Sequence, residues 1–158
     1  MDSLRVGPPG RSPREALTLD PLAQAVAAAR HFVRDRLPAL GGTAMIDNAE
    51  LAVSELVTNA TLHARTPMTI AVTRTPAGRI RISVRDHSTQ VPQPRAYALT
   101  ATTGRGLRLV DAVSMAWGVD PVPEDEGSGK IVWCEPAEDA ANSVPPTGEW
   151  ADVIAELA

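Results

Sequence analysis

A long helical pattern followed by two alternating strands is the feature that most restricts the fold of this chain. Seven apolar residues between positions 43 and 64 recur at the spacing of one helical face: Ile46, Ala49, Val53, Leu56, Val57, Ala60 and Ala64. Residues 68–86 then alternate apolar and polar side chains in two runs separated by the turn "TPAG", which predicts a β-hairpin with one buried face. Each of these elements therefore has one face that belongs to a core.

The same helix carries a second row of residues on its far side, which ordinary core packing does not explain. The row consists of Asn48, Ala52, Glu55, Asn59 and His63, and Leu51 and Leu62 lie beyond it. Glu55 and Asn59 are four residues apart and share one face. A solvated edge explains such a pair. The alternative is a metal–nucleotide site, in which an asparagine oxygen binds Mg²⁺ and a glutamate takes a proton.

The second strand of the hairpin ends in a carboxylate on its buried side. Asp86 continues the alternation of Ile80, Ile82 and Val84, and an inward carboxylate is unfavourable unless a polar group meets it. Asp86 is either a turn former at the strand end or a buried acceptor for an exocyclic amine such as that of adenine.

Gly104 and Gly106 come directly before another helical pattern, "LRLVDAVS". Gly104 and Gly106 lack the third glycine and the preceding strand of a dinucleotide-binding fingerprint. They form either a simple turn or, with the helix N-terminus, a phosphate site. Thr103 and Arg105 fit the phosphate interpretation.

The rest of the chain divides into segments by composition. Residues 1–18 are rich in Pro, Gly and Arg and are predicted to form a disordered tail. A first helix is expected from Asp20-Pro21, and "MAWGV" and "GKIVWCE" are predicted strands. Residues 87–103 are predicted to be a long loop. Residues 137–147 are predicted to be a linker and residues 148–158 an amphipathic helix, which either packs on its own domain or docks a partner.

Composition excludes several classes of function. The net charge of -4 argues against a basic nucleic-acid-binding surface, and the one cysteine, Cys134, permits no internal disulfide or Cys-based metal cluster. No second histidine lies at metal-ligand spacing from His63, which argues against zinc. No apolar run approaches membrane-helix length, and the N-terminus lacks a signal-peptide core. We therefore expect a cytoplasmic protein with no membrane association.

Three motifs in this order resemble those of the GHKL ATPase superfamily of gyrase and the histidine kinases. "ELVTNA" at 55–60 resembles its N box, "RDHSTQVP" at 85–92 its G1 box and "TTGRGLRLV" at 102–110 its G2 box. The resemblance extends over residues 19–136. It is stronger still to the anti-sigma-factor serine/threonine kinases and their actinobacterial ATP-binding relatives.

The resemblance implies an α+β fold: a two-layer sandwich with a mixed, mostly antiparallel sheet and helices on one face. It also implies that ATP and Mg²⁺ are the cofactors. Glu55 would act as general base, Asn59 would bind Mg²⁺ and Asp86 would receive the adenine amino group. The implied nucleotide-binding residues are Asn59, His63, Asp86, Ser88, Thr103, Gly104, Arg105, Gly106 and Leu107.

Two positions depart from the family pattern. His87-Ser88-Thr89 follows Asp86, where the G1 box usually has glycine. Ile131 stands where the last strand often carries a threonine near the adenine-binding aspartate, and this removes a hydroxyl from the adenine contact. Both departures affect nucleotide affinity more than fold.

Two functions remain open on the sequence. The first is a kinase that transfers the γ-phosphoryl group of ATP to a Ser or Thr of a protein antagonist and controls transcription by partner switching. Its expected partners are a sigma factor and an anti-anti-sigma antagonist, with no direct nucleic-acid contact and with homodimerisation possible by resemblance. The second is a degenerate GHKL adaptor, which acts by protein–protein binding with weak or no use of nucleotide.

Overall fold

A computed structural model describes residues 16–88 and 103–139, except the side chains of residues 103–106. The described residues form three α-helices: α1 (Ala25–Arg36), α2 (Ile46–Asn59) and α3 (Thr103–Val113). They also form five strands: β1 (Ala16–Leu19), β2 (Met68–Arg74), β3 (Ile80–Asp86), β4 (Ser114–Pro121) and β5 (Lys130–Pro136). The predictions for residues 1–15, 89–102 and 140–158 lie outside the described residues.

The strands form one open sheet in the order β1-β2-β3-β5-β4, and each neighbouring pair is antiparallel. β2 and β3 form the predicted hairpin, and the alternating residues of each strand that were expected in the core are buried. The predicted α+β fold is therefore confirmed. Among the described strands every pairing is antiparallel.

Helix α2 is the centre of the helical layer. It packs against α1 on one side and α3 on the other, and it contacts β3 and β5 beneath. Five residues of its predicted core face are buried: Ala49, Val53, Leu56, Val57 and Ala60. Ala52, placed in the polar row by spacing alone, is also buried, so that row is narrower than predicted. None of the helices in the described part of the chain is both long and apolar enough to cross a membrane.

The N-terminal part of the fold differs from the prediction. Residues 16–18, expected within the disordered tail, belong to β1 and pair with β2. Helix α1 begins at Ala25, because Asp20 and Leu22 instead form a turn closed by hydrogen bonds to their carbonyl groups. The helix start predicted at Asp20-Pro21 is therefore wrong. A strand of four residues offers too little alternation to be recognised from sequence.

Helix α2 is capped by a residue that is distant from it in sequence. Its own N-cap residue, Met45, makes no side-chain capping bond. The Asp139 carboxylate supplies that bond instead, since its Oδ2 accepts from the Asp47 amide at 3.1 Å and its Oδ1 from the Asn48 amide at 2.8 Å. The side chain of Asn48 in turn donates to the carbonyl groups of Ala137 and Glu138. The segment that follows β5 thus fixes the first turn of α2.

The outer face of the sheet holds a buried carboxylate between two arginines. Glu135 Oε1 lies 2.7 Å from Arg81 Nη2, and Oε2 lies 3.2 Å from Arg79 Nη1. The Arg81 guanidinium also stacks on the Trp133 ring, 3.7 Å from its centroid. The hydrogen bond from Arg81 is the main cause that lowers the pKa of Glu135 below its usual value, although burial opposes it.

Replacement of Asp139 by alanine is expected to destabilise the fold through α2. Removal of a capping carboxylate costs about 1 kcal/mol, which lowers the Tm of a chain of this size by about 2–4 °C. Thermal unfolding followed by circular dichroism measures the change. Glu138→Ala is the matched control, because the side chain of Glu138 is exposed and only its carbonyl group contacts Asn48. Equal Tm values for the two variants would show that Asp139 does not cap α2.

Glu135 makes the stability of the protein depend on acidity. Because its folded-state pKa is lowered, its contribution is complete above the unfolded-state pKa of about 4.3 and is lost as pH falls through the folded-state pKa. Urea titrations of the wild type and Glu135→Gln should therefore differ in unfolding free energy near neutral pH, and the difference should shrink as the pH falls below the unfolded-state pKa. Glu124→Gln, at an exposed turn, is the control. A difference that does not shrink in acid would contradict this account.

Candidate functional site

The predicted site residues lie on three elements, one of which, α2, contacts the other two. Glu55 and Asn59 belong to α2, Asp86 ends β3 and Leu107 lies in α3. Helix α2 contacts both α3 and β3. The helix that carries the first motif therefore contacts the elements that carry the other two.

Glu55 and Asn59 are half-buried on the last turns of α2. Within residues 16–88 and 103–139, neither side chain makes a hydrogen bond or an ion pair. The neighbouring hydroxyl groups behave differently, since Ser54 donates to the Glu50 carbonyl and Thr58 to the Ser54 carbonyl. α2 thus presents one carboxylate and one amide, a turn apart, with their polar atoms unused.

The helix changes geometry directly after Asn59. Ala60–Ala64 form a π-helical turn, closed by the Arg65 amide donating to the Ala60 carbonyl. Such turns recur at functional sites. Because this turn is wider than an α-helical turn, the polar row of α2 ends at Asn59. His63 lies in this turn and is exposed, and Leu62, expected to border the polar row, is 53% exposed.

Asp86 is buried as predicted, and a polar group does meet it. Its side chain is 1% exposed, and its partner is Lys130, whose side chain is 7% exposed. The Lys130 Nζ atom lies 3.0 Å from Oδ1 and 2.9 Å from Oδ2 of Asp86. The Ser88 amide also donates to Oδ1 at 2.8 Å. The carboxylate proposed to receive adenine is therefore already held by an ammonium group and a backbone amide.

Lys130 was missed as a site residue, although the sequence contained a signal. It is the single lysine of a chain with many arginines. It is also the first residue of β5, directly after Gly129. The register pairs Asp86 with Lys130 and Arg85 with Ile131. Since side chains alternate across a sheet, Ile131 points to the face opposite Asp86. The expectation that Ile131 lies beside Asp86 is therefore corrected: the neighbour of the aspartate is Lys130.

Gly129 allows the close approach of these two strands. A Cβ atom at this position would lie 2.1 Å from the Asp86 carbonyl oxygen, and the φ angle of Gly129 is +113°. Only glycine adopts that backbone conformation without strain. The residue that follows β3, His87, donates its backbone amide to Thr66 Oγ1 at 3.0 Å. The end of β3 is thus fixed on both sides.

Helix α3 begins at Thr103, so that Gly104 and Gly106 belong to its first turn and do not precede it. The first amides of a helix have no intrahelical acceptor, and they favour an anion such as phosphate. The Leu107 side chain is buried, as is that of Val110 one turn later. These two residues anchor the beginning of α3 in the core.

The residues present fit two of the three parts of a magnesium nucleotide. Oxygen ligands suit Mg²⁺, and the unused amide oxygen of Asn59 offers one. The carboxylate of Glu55, a turn away, offers a base. The first turn of α3 suits the phosphates. The base part fits less simply, because Lys130 lies where an exocyclic amine would donate to Asp86.

Comparison with known proteins gives a family and two similar chains. Residues 19–133 match the model of the family described as histidine kinase-like ATPase domain. An uncharacterized protein of Streptomyces coelicolor is 40% identical over 74 residues, which are 46% of this chain and 67% of that protein. The histidine kinase domain of the blue-light activated histidine kinase of Erythrobacter litoralis EL346 has 18% identity and a TM-score of 0.40. The similarity covers 70% of this chain and 64% of that one, less than two thirds of its length.

Proposed function

Because this chain belongs to the family of histidine kinase-like ATPase domains, we propose that it is a regulatory protein that binds ATP with Mg²⁺. We propose further that it transfers the γ-phosphoryl group to a Ser or Thr hydroxyl of a protein antagonist. One observation carries the proposal: Glu55 and Asn59 lie a turn apart on α2 and make no hydrogen bond or ion pair with the described residues.

Binding needs groups for the metal and for the phosphates. The Asn59 amide oxygen is the proposed ligand of Mg²⁺, which keeps several water ligands besides. Mg²⁺ held by Asn59 would neutralise charge on the phosphates. The amides of the first turn of α3, residues 103–106, are the proposed donors to phosphate oxygens. Asp86 is the proposed acceptor for the adenine amino group.

The transfer step needs a base close to the metal. Glu55 takes the proton of the attacking Ser or Thr hydroxyl. As the hydroxyl oxygen forms its bond to the γ-phosphorus, the bond from that phosphorus to the β–γ bridging oxygen breaks. ADP leaves with the electron pair, and the proton stays on the Glu55 carboxylate. Most of the catalysis in such a reaction comes from positioning and charge stabilisation.

The partners follow from the resemblance to anti-sigma-factor kinases. The protein would hold a sigma factor in one state and the antagonist in the other, and phosphorylation of the antagonist would decide between them. It would make no direct contact with nucleic acid. A homodimer is the proposed assembly.

One observation favours a second candidate, an adaptor that uses nucleotide weakly or not at all. The carboxylate of Asp86 is paired with Lys130 at 2.9–3.0 Å, where the adenine amino group is proposed to bind. An adaptor would retain this pair as a structural contact. The unused polar atoms of Glu55 and Asn59 count against this candidate, since protein–protein binding requires neither.

Glu55→Gln tests the proposed base. The purified protein is incubated with γ-labelled ATP, Mg²⁺ and a soluble extract of cells that produce it, and labelled serine or threonine is measured. We expect Glu55→Gln to reduce labelling by about 100-fold and to leave the calorimetric Kd for ATP unchanged. Glu50→Gln is the matched control on the same helix, because Glu50 instead pairs with Arg34. Labelling that survives Glu55→Gln would overturn the assignment.

Asn59→Ala tests the metal ligand separately. Calorimetric titration with ATP should show Mg²⁺-enhanced binding in the wild type and no enhancement in the variant, while binding of ATP with a chelator present stays equal in both. Equal magnesium enhancement in both proteins would contradict the role of Asn59. No ATP binding by the wild type at millimolar nucleotide would favour the adaptor.

A further inference from the structure

We propose that Lys130 determines how the site discriminates between nucleotide bases. Its ammonium group competes with the exocyclic amine of adenine for the carboxylate of Asp86, and it offers a donor to bases that carry a carbonyl group instead. The inference rests on the proposed function, because it requires a nucleotide whose base lies at Asp86.

The hydrogen-bonding capacity of Asp86 is nearly filled by the protein itself. A carboxylate offers about four lone-pair positions on its two oxygens. Oδ1 accepts from the Ser88 amide at 2.8 Å and from Lys130 Nζ at 3.0 Å, and Oδ2 lies 2.9 Å from the same Nζ. An adenine amine must therefore share Oδ2 with the ammonium group or displace it. The third N–H of Lys130 can meet an acceptor on the base.

Strand movement cannot easily release Lys130. The register of β3 and β5 places it directly opposite Asp86, and a slip by one residue would turn the apolar residues of β5 out of the core. Gly129, the preceding residue, lies against the backbone of Asp86 so closely that a Cβ atom would not fit. Release of the carboxylate therefore requires rotation of the Lys130 side chain.

Lys130 differs in its burial from the other cations whose side chains are described. In residues 16–88 and 107–139, Lys130 is the only lysine or arginine that is buried. Arg85, the nearest arginine along β3, lies on the opposite face and donates to the Glu126 carbonyl. Loss of Lys130 thus leaves the Asp86 carboxylate with the Ser88 amide as its one donor from the described residues.

Adenine and hypoxanthine present opposite groups at one position. Adenine carries an amino donor there, whereas hypoxanthine carries a carbonyl acceptor, as guanine does. A bare carboxylate accepts from the amine and repels the carbonyl. A carboxylate with an adjacent ammonium group can serve either base, because it presents one acceptor and one donor. The wild type is therefore expected to bind ATP and inosine triphosphate about equally.

Lys130→Met, which keeps the length of the side chain and removes its charge, is the decisive variant. Isothermal titration with ATP and with inosine triphosphate, both with Mg²⁺, gives the two Kd values for each protein. We expect the preference for ATP to rise on the order of tenfold in Lys130→Met, because Asp86 no longer has to be freed. Arg85→Met, which removes a cation from the other face, should keep the wild-type ratio.

Thermal unfolding gives a second readout that does not depend on catalysis. Without nucleotide, Lys130→Met should melt below the wild type, because its buried carboxylate has lost its counter-charge. ATP should then raise its Tm more than it raises that of the wild type, whereas inosine triphosphate should not. If Lys130→Met fails to fold, Lys130→Gln replaces the ammonium group with a neutral amide, which holds Asp86 less tightly. Its preference for ATP should therefore still exceed that of the wild type.

The outcomes separate this inference from the proposed function. A lower Tm with an unchanged ratio of the two Kd values, in Lys130→Met or in Lys130→Gln, would mean that the ion pair only holds the strands, and would overturn the inference while ATP binding stands. Gain of ATP binding in the variant from an inactive wild type would support the inference and favour an adaptor as the natural state. No nucleotide binding by the wild type or by any variant would overturn both.

Discussion

The buried ion pair between Asp86 and Lys130 connects the fold of this protein to its site. A carboxylate with 1% exposure is strongly unfavourable without a counter-charge, so β3 and β5 must adopt the register that places Lys130 opposite it. The same register puts Ile82 and Val84 against the helices and Arg85 on the outer face. One electrostatic requirement and the burial of apolar side chains thus select the same arrangement of strands.

Helix α2 packs on this sheet and carries the polar residues that the proposed function needs. Its first turn is capped by Asp139, which follows β5, and its middle is buried between α1, α3 and the sheet. Its last turns carry Glu55 and Asn59, whose polar atoms are unused, and the helix then widens into a π-helical turn. The position of Glu55 and Asn59 therefore depends on contacts made more than a helical turn away.

The sequence predicted those parts of the fold that periodicity controls. The face of α2, the hairpin, the strands β4 and β5 and the burial of Asp86 all follow from spacing, and they are confirmed. β1 is too short to produce a pattern, and its hydrogen-bonding partner is distant in sequence. The ion pair of Asp86 could not be derived, because strand pairing is not visible in a single sequence. Spacing also placed Ala52 in the polar row, although the contacts of α2 with its neighbours bury it.

The most direct test of this account is a crystal structure of the wild-type protein with Mg²⁺ and a nonhydrolysable ATP analogue. The account predicts the adenine amino group within hydrogen-bonding distance of the Asp86 carboxylate, with the Lys130 ammonium group turned away from at least one of its oxygens. It also predicts the Asn59 amide oxygen on the metal. A nucleotide bound elsewhere, with the Asp86–Lys130 distances still at 2.9–3.0 Å, would contradict it.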